Sequence, residues 1–385
     1  HRIANQVTVQ CLTVTCKNPF QIGFADGIFA FKPVFYYGQR SKCADLLNSY
    51  QTNTILQIQE VPHMTQTINP RKAAIIGCGF VGSATAFTLM QSRLFSELVL
   101  LDANEAKADG EAKDIAHGIP FAGQMKIYAG TYDDIADSAI IIITAGANQK
   151  PGETRLDLVH KNVAIYKSII PEISRRDFQG ILLIVSNPVD ILTYTALKLS
   201  GFPENRVIGS GTVLDTARLK YALSEHLGVD SRSVHSFIIG EHGDSEIAAW
   251  SSTNVSGIPL NTFCEMRGHY NHDAAMDRIA EEVKNSAYDI ISKKQATYYG
   301  IAMSVKRICE CIIRNERSIL PISSMMHGEY GISGISLSMP AIVGLNGIET
   351  HVPISLDADE AEKLRESAET LKKIAAELDL STAIS

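Results

Sequence analysis

The amino-acid sequence predicts an α/β fold in two parts, a doubly wound parallel sheet followed by an α+β domain. Three observations carry this. A short apolar strand at Lys72–Gly77 runs into Gly77-Cys78-Gly79-Phe80-Val81-Gly82 and then a helix-like stretch. From Arg71 to Gly209 short apolar strands alternate with helix-like runs, the pattern of repeated β-α units. From Val213 onward the order changes to strands, a long helical region and strands again.

In the first unit each glycine has a physical reason. Gly77 makes the tight turn, Gly79 lets a pyrophosphate approach the backbone, and Gly82 lets the helix pack closely on the strand. The helix-like run Ser83–Gln91 brings free N–H groups and the positive end of its dipole to those phosphates. The next strand, Glu97–Leu101, ends at Asp102, twenty residues after Gly82. A carboxylate there accepts hydrogen bonds from ribose hydroxyls and repels a 2′-phosphate, which favours NAD over NADP. A glycine triplet alone is a weak signal. Strand, glycine loop, helix and acid together describe a Rossmann-type dinucleotide site.

The following strands are Met125–Ala129, Ala139–Thr144, Ile181–Val185 and a short Val207–Gly209. Right-handed crossovers would make them one parallel sheet, which binds its ligands at the carboxyl ends of the strands. Three polar segments lie at those ends: Thr144–Arg155, Ser186–Asp190 and the loop holding Asp102. The first is long and glycine-bearing, as in a mobile lid, but a solvated connection has the same composition. Asn187, before Pro188, suits either a ligand hydrogen bond or a turn.

In the second half, Asp215-Thr216-Ala217-Arg218 opens a helix. Asp215 would serve there as an N-cap and Arg218 as a surface charge, unless a site recruits them. Strands are expected over Val234–Ile239 and Ala248–Asn254, and a helical region over Asn271–Arg314. Strands Ile319–Ser323 and Ile342–Leu345 follow, then an amphipathic helix over Asp357–Leu380. Between the first two of these strands lies Gly240-Glu241-His242-Gly243-Asp244-Ser245-Glu246. A histidine in a glycine-flanked polar loop exchanges a proton near neutral pH, but most loop histidines are merely solvated. His269 and His272 read as exposed, since no carboxylate or cysteine set completes a metal site around them.

The 385 residues allow two ordinary domains, here 64–212 and 213–385. A net charge of −7 argues against a nucleic-acid binder, and the longest apolar run is far too short to span a bilayer. The seven scattered cysteines contain no CxxC pair and suit reduced thiols in the cytoplasm. Residues 1–63 hold three of those cysteines and show no sustained helical or strand period. They are expected to be a non-native or disordered extension, an upstream read-through with Met64 as the natural start. A transit or regulatory extension is the alternative.

With these motifs in place, residues 64–385 resemble the bacterial L-lactate dehydrogenases of the lactate/malate dehydrogenase superfamily. The resemblance rests on Gly77–Gly82, Thr144–Arg155, Ser186–Asp190, Asp215–Arg218 and Ile239–Glu246, which occur in the family's order and approximate spacing. It implies an α+β catalytic domain and an NAD-dependent oxidoreductase that interconverts lactate and pyruvate, as in fermentation to lactate. His242 would take up and return the hydroxyl proton, and Asp215 would hold its imidazole in the right tautomer. Arg218 would grip the substrate carboxylate with a fork that lysine lacks. Arg155 would arrive on the lid and polarise the carbonyl. Asn187 would bond substrate and cofactor. The cofactor would meet Gly77, Gly79, Phe80, Val81, Gly82, Asp102, Lys107, Tyr132, Gly146, Ala147, Ser168 and Asn187.

Within this resemblance Gln149 decides the substrate. Malate enzymes carry an arginine at that position to pair the second carboxylate of oxaloacetate. Gln149, with Thr297, would instead border the methyl group of pyruvate. Malate dehydrogenase, or another 2-hydroxy-acid dehydrogenase, is therefore the alternative. A non-catalytic structural protein on this scaffold would be expected to lack one of Asp215, Arg218, His242 or Arg155, and all four are present. An NAD-using glycosidase would need a metal site that the sequence does not reveal. Two further expectations come from the resemblance: a homotetramer, and activation by fructose 1,6-bisphosphate through Lys220 and His235. Arginine is usual at the first of these positions, and lysine keeps the charge but loses the fork.

Overall fold

The computed structural model describes residues 21–25, 28–32, 67–147, 152 and 154–380, the side chain of Arg155 excepted. The chain divides into two compact units, residues 1–62 and 63–385. In the first, strands β1 (Gln21–Ala25) and β2 (Ile28–Lys32) form an antiparallel hairpin with Gln21 opposite Lys32. The remainder of the expected extension lies outside the described residues.

In the second unit six strands build the parallel part of the sheet. They are β3 (Asn69–Ile76), β4 (Glu97–Leu101), β5 (Lys126–Ala129), β6 (Ser138–Ile143), β7 (Ile181–Ile184) and β8 (Val207–Gly209). Their spatial order is β8-β7-β6-β3-β4-β5, all pairs parallel. The chain reverses direction across the sheet between β3 and β6, and a crevice opens at such a switch point. The apolar runs are continuous because both faces are covered: Ile140, Ile141, Ile142 and Ile143 are all fully buried. Helices α1 (Phe80–Ser92), α2 (Glu105–Ala116), α3 (Arg155–Ser174) and α4 (Val189–Ser200) connect these strands. Thr154 and Asp157 form a reciprocal cap at the start of α3.

After β8 the chain enters α5 (Val213–Leu227) and then a different pattern. The expected strand over Val234–Ile239 is two short ones, β9 (Val234–His235) and β10 (Ile238–Gly240). The expected strand over Ala248–Asn254 is likewise divided. It comprises the end of β11 (Glu246–Ala248), a 3-10 turn at Trp250–Ser252 and the start of β12 (Asn254–Val255). Thr253 packs its hydroxyl onto the Ala249 carbonyl at that turn, so local bonding replaces the ladder. Strand β13 (Ile258–Pro259) and helix α6 (Leu260–Met266) follow.

The expected helical region over Asn271–Arg314 breaks into α7 (His272–Lys294) and α8 (Tyr299–Ile313). Gln295 ends α7 with a left-handed φ of 71°, and Thr297 lies in the break. Strands β14 (Ser318–His327), β15 (Ser333–Gly344) and β16 (Gly347–His351) are longer than the apolar segments that announced two of them. Helix α9 (Ala358–Ala376) closes the described chain, capped by Asp357 and Glu360.

The second half does not make a separate sheet. Ser323 of β14 pairs antiparallel with Gly209 of β8, and β15, β10 and β11 continue outward from β14. Among the described residues eleven strands thus form one mixed sheet, beside a small one of β9, β12 and β13. No helix among the described residues is long and apolar enough to cross a membrane.

Candidate active site

The dinucleotide loop follows from backbone sterics. Gly77 has φ of +103°, and a Cβ there would lie 2.5 Å from the Ala145 nitrogen. A Cβ on Gly82 would lie 1.9 Å from the Gly77 carbonyl oxygen. At Gly79 a Cβ would meet nothing within 4 Å, so its missing side chain leaves open space at the N-terminus of α1. An approaching phosphate fits that space. Asp102 accepts hydrogen bonds from the Cys78 N–H at 2.7 Å and the Asn104 N–H at 2.9 Å, which fixes its carboxylate beside the loop.

A cleft of about 900 Å³ opens at this switch point. Of the expected cofactor residues, Gly77, Gly79, Asp102, Lys107, Tyr132, Gly146 and Ser168 line it. Thr131, Ile165 and Ile169 also line it and carry no motif that would announce them. Gly82 sits behind the loop rather than in the cleft. Phe80 is exposed and stacks on Tyr298, ring centroids 5.5 Å apart. Val81 packs against the core beside the sheet. Ala147 and Asn187 belong to the strand-end loops, which one unexpected residue ties together. The buried Asn162 of α3 accepts from the Ala147 N–H and donates to the Asn187 carbonyl, both at 2.7 Å. Its signal in the sequence was a lone amide on an otherwise apolar helix face.

The acid–base group forms where α5 meets the β10–β11 hairpin. Helix α5 starts at Val213, with Thr212 at its N-cap, so Asp215 lies inside the first turn and does not cap the helix. Thr212 donates to the Ile238 carbonyl at 2.6 Å and Thr216 accepts from the Ile238 N–H at 2.8 Å. These two threonines lock the helix to β10 and aim Asp215 between them at the hairpin loop. There Asp215 Oδ2 meets His242 Nδ1 at 2.6 Å, and Asp215 Oδ1 accepts from Arg218 Nη1 at 2.8 Å. Arg218 is therefore an ion-pair partner in the site, not a free surface charge.

A second carboxylate stands behind the histidine. Asp190, buried at the start of α4, accepts the His242 backbone N–H at 2.8 Å and the Ser338 hydroxyl at 3.0 Å. Sequence reasoning noticed Asp190 only as the end of a motif, because a helix-first-turn acid is normally a cap. Burial pushes its carboxyl up to about 6, against the lowering effect of its hydrogen bonds. Burial alone would push the His242 imidazole down. The negative charge and hydrogen bond of Asp215, reinforced by Asp190 and Glu246, outweigh it and raise the imidazole to about 9. Burial likewise works to raise the Asp215 carboxyl, yet His242 and Arg218 hold it below the usual carboxylate range. The group therefore favours an imidazolium beside an ionised aspartate.

Other expected residues are more dispersed. Lys220 is half-buried on α5, where burial lowers its ammonium, and His235 is exposed on β9. Gln149 lies outside the described residues, as does the side chain of Arg155, whose backbone opens α3. His269 and His272 are not exposed as expected. His269 stacks on His226 with ring centroids 4.3 Å apart, and His272 Nε2 lies 3.5 Å from Glu265.

Comparison with known proteins finds two matching family models. Residues 71–209 match the lactate/malate dehydrogenase NAD binding domain, and residues 212–379 the lactate/malate dehydrogenase alpha/beta C-terminal domain. The chain is 55% identical to the L-lactate dehydrogenase of Acetivibrio thermocellus over 310 residues, covering 80% of this chain and 98% of that protein. It is 52% identical to L-lactate dehydrogenase 1 of Clostridium acetobutylicum, covering 78% and 96%. Among solved structures, the minor L-lactate dehydrogenase from Enterococcus mundtii in its ligands-bound form matches with a TM-score of 0.78 at 43% identity, covering 81% of this chain and 99% of that one.

The two glycines make separable predictions. Gly82→Ala drives a methyl group into the Gly77 carbonyl and is expected to lower Tm together with NADH binding. Gly79→Val is expected to leave Tm within about 2 °C, the usual effect of a substitution in open space, while weakening NADH binding at least tenfold. Thermal melts and NADH fluorescence titration of both variants check this.

Proposed function

The chain belongs to the lactate/malate dehydrogenase family, and we propose how its own residues carry out the reaction of that family's lactate branch. The protein is an NAD-dependent L-lactate dehydrogenase, interconverting lactate and pyruvate. The observation that carries the residue-level reading is the 2.6 Å bond between Asp215 and His242 Nδ1, with Arg218 on the other aspartate oxygen.

NAD, when bound, supplies or accepts the hydride; the loop Gly77–Gly82, Asp102 and the cleft beside them hold it. Because Nδ1 is committed to Asp215, Nε2 is the nitrogen that exchanges a proton with substrate. In pyruvate reduction His242 Nε2 donates to the carbonyl oxygen as it becomes a hydroxyl, and in lactate oxidation it takes that proton back. Asp215 fixes the tautomer and balances the imidazolium charge. Asp190 fixes the histidine backbone. Arg218 keeps N–H groups beyond its bond to Asp215 for the substrate carboxylate. Arg155 polarises the carbonyl, and Asn187 orients the same oxygen. Thr297 and Gln149 border the substrate methyl group. A neutral Gln149 would leave a second substrate carboxylate buried without a partner, a cost on the order of several kcal/mol.

The coarser setting is also a reading. Buried free thiols at Cys78, Cys264, Cys309 and Cys311 suit the cytoplasm. Exposed apolar side chains such as Phe121 and Tyr221 suit a homotetramer. Lys220 and His235 supply the donors for a bisphosphate activator.

Four outcomes are expected. Pyruvate reduction requires the imidazolium, so kcat/KM for pyruvate should hold through neutral pH and fall about tenfold per unit once pH passes about 9. Lactate oxidation requires the neutral ring and should rise over the same range. His242→Asn should lower both directions by roughly 10²-fold or more while NADH still binds. In steady-state assays with both oxo acids, pyruvate should exceed oxaloacetate in kcat/KM by at least ~10²-fold; a preference for oxaloacetate overturns the assignment of Gln149. Saturating fructose 1,6-bisphosphate should lower the pyruvate KM or shift the sedimentation profile, and no change in either removes Lys220 and His235 from regulation.

A further inference from the structure

Glu246 is the one member of the acid–base cluster that the reaction as described leaves without a task. It begins β11, pairs with Gly240 across the hairpin, and its backbone N–H closes the loop onto the Gly243 carbonyl at 3.2 Å. That closure turns its side chain back onto the site. Ligating atoms of Asp215, His242 and Glu246 all lie within 4.8 Å of one another. Both oxygens of Asp215 are already committed, to His242 and Arg218.

The neighbouring acids are accounted for by local bonds. Glu241 accepts the Ser245 hydroxyl, and Asp244 accepts the Tyr288 hydroxyl at 3.0 Å. Glu360, from α9 against β11, accepts the Ser251 and Asp357 backbone N–H groups. The Glu246 carboxyl has no such hydrogen bond among the described residues, although it is half-buried. The charges facing it are Asp215 and Arg218 from α5, His242 from the hairpin loop and Lys284 from α7. Asp190 reaches it only through His242.

We propose that Glu246 is a positioning residue of the reaction: it stands beside the Asp215–His242 pair as a neutral acid at neutral pH, and its charge, once formed in the alkaline range, keeps the imidazolium available to exchange its proton with the substrate. The proposal rests on the reading of His242 given above. Burial, and next the Asp215 charge, push the Glu246 carboxyl up to about 8, with His242, Arg218 and Lys284 pulling it back. At neutral pH Glu246 is thus a neutral acid that does not repel an anionic substrate. As pH rises it ionises first, and its new charge delays loss of the His242 proton.

The test is the pH profile of kcat/KM for pyruvate at saturating NADH, for the wild type, Glu246→Gln and Glu246→Asp. In Glu246→Gln the alkaline limb should move down by at least about half a pH unit. Glu246→Asp should return the limb toward the wild-type position. A Glu246→Gln limb that superimposes on the wild type overturns the proposal. If that variant folds poorly, Glu246→Ser replaces it: it too removes the carboxyl, so the limb again moves down, and an unmoved limb is equally fatal. His242→Asn separates the two readings. Retained activity there removes the assignment of His242 itself, whereas lost activity with an unmoved Glu246→Gln limb removes only the role of Glu246.

Discussion

A carboxylate buried to 2% exposure with two cationic partners is the constraint that organises this molecule. Asp215 cannot be left unpaired in the interior, because an uncompensated buried charge costs more than the pair itself contributes. It therefore draws His242 from 27 residues away and Arg218 from the next turn of its own helix. Thr212 and Thr216 hold the helix against β10, so the carboxylate meets the hairpin loop at hydrogen-bond distance. Asp190 then pins the histidine from behind, through the backbone. Two acids from different helices fix one ring and its main chain, and their combined field keeps the ring protonated despite its burial.

This arrangement needs both halves of the chain in one frame, and the continuous sheet provides it. Strand β8 ends the parallel series and pairs with β14 at Gly209 and Ser323. Ser338 of β15 pairs with Gly240 at the start of the histidine loop and also donates to Asp190. The strand ladder thus sets the distance between a helix of the dinucleotide half and the acid–base loop. At the other end of the cleft Asn162 binds the loops that follow β6 and β7, and a stacked pair, Phe80 and Tyr298, joins the glycine loop to the segment carrying Thr297. The glycine loop, the strand ends and the segment before α8 are linked by single contacts that a loosely packed region would not preserve.

Where sequence reading fell short, local and non-local effects competed. A helical pattern over Asn271–Arg314 continues through Gln295, yet the chain turns there in a left-handed conformation and restarts at Tyr299. The apolar positions on both sides suit a helix, so the sequence pattern carries no mark of the break. The segment Ala248–Asn254 has strand composition, but a 3-10 turn satisfies its backbone locally. His269 looks like a surface residue in a polar stretch and instead meets His226, from the far end of α5. Asn162 and Asp190 have no neighbours in sequence to mark them. Their role depends on loops that come together only in the folded sheet.

The sequence by itself determined the parallel sheet, the NAD loop and the residue types for acid–base chemistry. Each of these is written in short-range form: apolar runs of strand length, glycines at fixed offsets, an acid at the end of the second strand. The choice of Gln149 over a cation is of the same kind, a matter of charge at one position. Tertiary structure alone decided that a second acid holds the histidine's backbone, and that Glu246 returns to the pair. The physical reason is burial. A carboxylate's partners and proton affinity are set by desolvation and by charges brought from distant segments, and neither is encoded in the residues beside it.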